Sequence, residues 1–136
     1  AANGSLAKTQ EELSKAGCKF VLFNKINANP VKSVVEEGAR AARENGCDFV
    51  VALGGGSVMD AAKNIAMLAA QPSDDLWDYA WGETGKGLPL VNTPLPCTRG
   101  SMPTSLQMGR ISSCARPSGR ILRLIILSLT ISLVRL

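Results

Sequence analysis

An α/β fold, a Rossmann-like parallel sheet with flanking helices, is what this sequence predicts, and three observations carry the prediction. Short apolar runs of β type alternate with helical patterns along the first 94 residues. Each helical pattern stops at a breaker: Gly17, Asn45-Gly46 and Gln71-Pro72. One β-type run, Asp48-Phe49-Val50-Val51-Ala52-Leu53, passes directly into Gly54-Gly55-Gly56-Ser57 and then into a helical pattern, which is how a strand, a tight turn and a helix N-terminus read in sequence.

The elements follow in order. Leu6 to Ala16 reads as a polar helix closed by Gly17, with Leu6 and Leu13 seven apart on one face, and Cys18 to Phe23 as a compact apolar strand. Asn29 is suited to cap a second helix with Pro30 at its first position. Val31, Val34, Val35, Gly38, Ala41 and Ala42 then recur at helical spacing, so that face should lie on a sheet. The strand at 48–53 follows, then a helix from Val58 to Ala70 stopped by Gln71-Pro72, and an acidic turn with Asp74, Asp75, Trp77 and Tyr79. Trp77, Tyr79 and Trp81 read as packing anchors under a loop, because no basic residues interleave with them as a base-stacking surface would need.

The glycine run carries the chemistry. A side chain at Gly54, Gly55 or Gly56 would hold a ligand away from the backbone, and so tight a reversal favours positive φ. Bare N–H groups at a helix start suit a phosphate, although a plain strand-to-helix turn has the same outline. Ser57 fits an N-cap whose hydroxyl is shared with a phosphate oxygen. Asp60, three residues on, fits either a capping-box acid or a group near the ligand. Lys63 fits an ion pair with Asp60 better than a cofactor contact. The run is not a P-loop, since no Gly-Lys-Ser/Thr ends it, and not Gly-x-Gly-x-x-Gly, since Val58-Met59 follow Ser57.

In these residues the chain resembles the iron-containing alcohol dehydrogenases, a family that includes butanol, lactaldehyde and propanediol dehydrogenases and is related to glycerol dehydrogenase. The resemblance rests on Asn29-Pro30, Glu37-Gly38, the segment from Asp48 through Gly54-Gly55-Gly56-Ser57 and Asp60-Ala61-Ala62-Lys63 to Ala66, then Leu76-Trp77-Asp78-Tyr79 and Lys86-Gly87-Leu88-Pro89-Leu90. It covers roughly residues 6–94. It implies a dinucleotide-binding half-domain for NAD or NADP, with the pyrophosphate at Gly55, Gly56 and Ser57 and Asn29 close to the adenosine side. It also implies hydride transfer with a small alcohol or aldehyde in the intact enzyme, and iron or another divalent metal held by one Asp and three His in an all-helical second domain, absent from this sequence. The strand expected before the first helix is not found, and Leu95-Pro96-Cys97-Thr98-Arg99-Gly100 stands where the family has Thr-Thr-Ala-Gly-Thr-Gly-Ser.

Composition bounds the remainder. At 136 residues, 46% apolar and 19% charged, the chain fits one modest globular domain. Its net charge of +4 is unevenly placed: residues 1–94 hold seven Lys and two Arg against all eleven acids, whereas residues 95–136 hold six Arg and no acid. The resemblance stops where this composition breaks, which suggests an out-of-frame translation or a wrong gene model after Pro94, giving a partial dinucleotide-binding domain at 1–94 and an Arg/Ser/Leu-rich tail at 95–136. Residues 121–136 are apolar but too short, and broken by Arg123 and Arg135, for a membrane span. An interfacial helix or an aggregation-prone strand is expected there.

The chain contains no histidine, so neither the family's metal site nor a Ser or Cys triad is expected, and no catalytic residue is assigned. Cys18, Cys47, Cys97 and Cys114 show no Cys-x-x-Cys pair and argue against structural zinc. Cys18 and Cys47 read as small reduced core residues. No signal peptide is visible, and cytoplasm is the default compartment. No nucleic-acid motif accompanies the Arg-rich tail. The expectation is an oxidoreductase fragment, inactive alone and prone to self-association through an exposed sheet edge. The alternative is a non-catalytic nucleotide-binding or partner-binding remnant.

Overall fold

The computed structural model describes residues 2–95, 97–99 and 123–129. Helices α1 (Ala2–Lys15), α2 (Lys32–Glu44) and α3 (Gly56–Ala70) alternate with strands β1 (Lys19–Ile26), β2 (Phe49–Leu53) and β3 (Cys97–Arg99), and β4 (Arg123–Leu129) comes last. All pairings are parallel, in the order β1-β4-β2-β3. Parallel strands need crossover connections, and here the crossover helices α2 and α3 cover one face while α1 covers the other. This is the Rossmann-like architecture the alternation predicts.

Because successive strand residues face opposite sides, each strand feeds two core layers. Phe49, Val51 and Leu53 of β2 join Ile126 of β4 and Leu13 of α1, with Leu6 packed at the margin. Val50 and Ala52 join Ile125 and Leu127 under α2 and α3, among Val35, Ala42, Val58, Ala61, Ala62 and Ile65. A bulge in β1 between Phe23 and Ile26 adds one residue and returns Ile26 to the face of Phe23. The two crossover helices pack closely at Gly38, where an added Cβ would lie 2.5 Å from Cδ1 of Ile65.

Three features differ from the sequence reading. Asn29 does not cap the second helix. That helix begins at Lys32 with extended Val31 as its cap and no side-chain capping bond, so Val31 stays exposed instead of joining the sheet-facing stripe. The reason is tertiary: the preceding loop is tied elsewhere through Ala28. Trp81 is not an anchor under a loop, being 89% exposed, because its ring lies against Gly87 on the outer side. Residues 123–129, read as part of an interfacial helix or aggregation-prone strand, are an interior strand. Their apolar run fills the space between β1 and β2 that the crossover through α2 leaves open. Among the described residues no helix is long and apolar enough to cross a membrane.

Candidate functional site

All four strands end at the same edge of the sheet, and the connection from β2 to α3 lies on that edge. Gly54 has φ 151°, a conformation L side chains rarely adopt, and an added Cβ there would sit 2.7 Å from Cγ2 of Val58. Both facts require glycine at this position. Gly55 is the cap of α3 with negative φ, and neither Gly55 nor Gly56 has any atom within 4 Å of an added Cβ. The turn therefore presents uncovered backbone to open space. Among the described residues no side chain is seen capping α3, so its first-turn N–H groups lie at the positive end of a 15-residue helix. That combination is the geometry an anion at a helix start requires.

The side chains expected to cap the helix do other work. Ser57 is inside α3, not its cap, and its hydroxyl donates to the backbone carbonyl of Ala28 in the loop after β1. This bond holds the Asn29 loop beside the glycine turn, so Asn29, Gly54, Gly55, Gly56 and Ser57 share one edge. The helix starts two positions earlier than a Ser57 cap would allow, at Gly56 with Gly55 extended at the bend. Asp60 makes no capping box. It is exposed and pairs with Lys63 at 3.6 Å, the helix-surface pair that the spacing favours. Sequence reasoning missed the Ser57 tether, whose acceptor is a carbonyl 29 positions away with no local signal.

The family model for iron-containing alcohol dehydrogenase matches residues 1–109. The chain belongs to this family. It is similar to a choline dehydrogenase of Bacillus subtilis (39% identical over 99 residues, 73% of this chain and 23% of the relative). It is also similar to a 1,3-propanediol dehydrogenase of Citrobacter freundii (35% over 94 residues, 69% and 22%). A third relative is a 4-hydroxybutyrate dehydrogenase of Cupriavidus necator (38% over 91 residues, 62% and 24%). These names indicate dehydrogenases of alcohols and hydroxyacids, and the chain spans less than a quarter of each of these relatives. No solved structure matches.

For an iron-containing alcohol dehydrogenase the dinucleotide turn and the metal site pose separate tests. The turn passes, because two uncovered glycines and an uncapped helix start fit a pyrophosphate. The metal ligands do not fit: the sequence has no histidine, and the described residues hold no group of three His, Cys, Asp or Glu able to hold an ion. Cys18, Cys47 and Cys97 are free thiols, and burial pushes Cys47 up to about 11, leaving it a neutral core residue at ordinary pH.

An acidic loop borders α2. Lys32 bonds Asp75 at 2.7 Å and lies 5.7 Å from the Trp77 ring centroid, while Glu36 accepts from the Leu76 amide. Lys86 bonds Asp78 at 2.6 Å, and Ser73 donates to the same carboxylate. The Lys32 bond holds Asp75, and the Lys86 bond holds Asp78, below the usual carboxylate range.

Proposed function

We propose that this chain forms part of the cofactor half of an NAD(P)-dependent alcohol dehydrogenase. The amides at Gly55, Gly56 and Ser57 would hold the pyrophosphate, and Asn29 would lie toward the adenosine side. The observation that carries the reading is the turn itself, where open space lies in front of Gly55 and Gly56 at an uncapped helix start. Gly54 turns the chain, the two following glycines let a phosphate reach the backbone, and the α3 dipole favours its charge. Ser57 positions the Asn29 loop through Ala28, and Asp60, paired with Lys63, lies on the helix surface toward the same edge. Bound nicotinamide would exchange hydride with the carbinol carbon of a small alcohol in an intact enzyme. The chain alone should not turn over, since it holds no histidine for the family's metal.

The second reading, a non-catalytic nucleotide-binding or partner-binding remnant, draws on that same lack of histidine. Titrating the chain with NADH and NADPH, read by quenching of its two tryptophans, tests both readings beside Gly56→Asp. Open space at Gly56 lets the variant fold, while its carboxylate repels a phosphate. Saturable binding lost in the variant supports the cofactor half. A folded wild-type chain that binds neither cofactor refutes it and leaves the partner-binding remnant.

A further inference from the structure

Among the described residues, strand β4 is far in sequence from the strands it pairs with. It pairs with β1 from Lys19↔Arg123 to Ile26↔Leu129 and with β2 from Phe49↔Leu124 to Leu53↔Ser128. Ile125 and Leu127 enter the layer under α2 and α3, and Ile126 enters the layer under α1, all three fully buried. At its start the Asp48 N–H donates to the Arg123 carbonyl at 2.7 Å. The Arg123 N–H donates to Oδ2 of Asp48 at 3.3 Å, and Nη1 of Arg123 to the Asn45 carbonyl at 3.3 Å. Without this strand β1 and β2 would face each other across roughly 10 Å, two strand spacings, with unpaired backbone on both sides and a gap in each core layer.

We propose that this slot is interchangeable between copies: β4 of one chain fills the gap between β1 and β2 of a second copy, giving a strand-exchanged dimer. Every group that holds β4 in the sheet is presented identically by a second molecule. The 23 residues at 100–122, between β3 and β4, reach up to about 75 Å when extended, enough to span to a neighbour. Elements from α1 to β3 join sequential neighbours, whereas β4 closes over 75 positions to β2 and more to β1, so the slot stands open until late in folding. Self-filling has the advantage of tethering: a covalent connection of this length sets an effective concentration on the order of 10 mM. Exchange is therefore rare in dilute solution and grows with concentration.

Two full-length variants test this together. Val50→Asp spoils the slot and keeps the strand, and Ile126→Asp spoils the strand and keeps the slot. Each alone should lack a cooperative thermal transition. Refolded as an equal mixture they should regain roughly half the wild-type transition and elute as a one-to-one pair, because one complete sheet forms per pair. A mixture that behaves as the sum of its parts overturns the proposal. Wild-type chain refolded at about 1 mM should hold about 100-fold more dimer than chain refolded at about 10 μM, in line with the tethering ratio. That dimer should survive dilution for hours. Dimer that falls apart within seconds of dilution, or monomer at both concentrations, refutes exchange.

Discussion

Strands β2 and β4 lie side by side in one sheet, and Ile125, Ile126 and Leu127 of β4 are as buried as the residues of β2, but the two strands differ in how their neighbours in sequence prepare them. β2 is bounded by Asn45-Gly46 before it and the glycine turn after it, and the helix that follows, α3, packs on it directly. β4 has no such frame among the described residues, and its partners lie at 19–26 and 49–53. A buried parallel strand thus needs either a βαβ unit that folds around it or a slot already shaped to receive it. The first kind is local and announces itself; the second depends on the assembled sheet.

The sharpest way to break this comparison is to charge the two strands equally. Ile126→Asp should cost about 4 kcal/mol or more, close to the whole stability of a small domain, and abolish the cooperative melt just as Val50→Asp does. An Ile126→Asp chain that melts like wild type would mean that β4 is dispensable to the sheet.

Gly54→Ala attacks only the locally prepared strand. The methyl group meets Val58 in a backbone region side chains avoid, so a loss of about 2–4 kcal/mol should appear in denaturant unfolding. Ser57→Ala should be milder, costing about 0.5–1.5 kcal/mol through the lost bond to Ala28. Its clearer readout is faster proteolysis in the Asn29 loop, with dinucleotide binding weakened less than by Gly56→Asp.

The smallest effect belongs to the acidic loop outside both strands. Asp75 and Asp78 are held below their ordinary pKa by Lys32 and Lys86. Their contribution is therefore present above the ordinary carboxylate value and is lost as pH falls through the lowered folded values. Acid titration should change the environment of Trp77 below about pH 4, before the far-ultraviolet signal of the sheet changes. A fluorescence change confined to the alkaline side would contradict these pairings.

Much of the candidate site was legible because its requirements are local. Three consecutive glycines between an apolar run and a helical pattern need no partner to be read, and Gly54 has the positive φ that the reversal favours. The Asp60–Lys63 pair follows from helical spacing alone. What misled was assigning caps by residue preference: Ser57 and Asn29 are good caps in isolation, but Ser57 finds a carbonyl across the sheet edge and the loop bearing Asn29 is drawn to it. Trp81 misled for a similar reason, since aromatic content does not reveal which side of a loop a ring will take.

By itself the sequence determined the alternation of strands and helices, the glycine turn and the family. These depend on spacing, backbone freedom and residue type, which act over a few positions. Only the tertiary structure decided that Ser57 ties two loops together and that residues 123–129 occupy the centre of the sheet. Both depend on groups far apart in sequence meeting across an assembled surface, and the backbone partners involved, the Ala28 carbonyl among them, are the same at every position, so no residue pattern marks them.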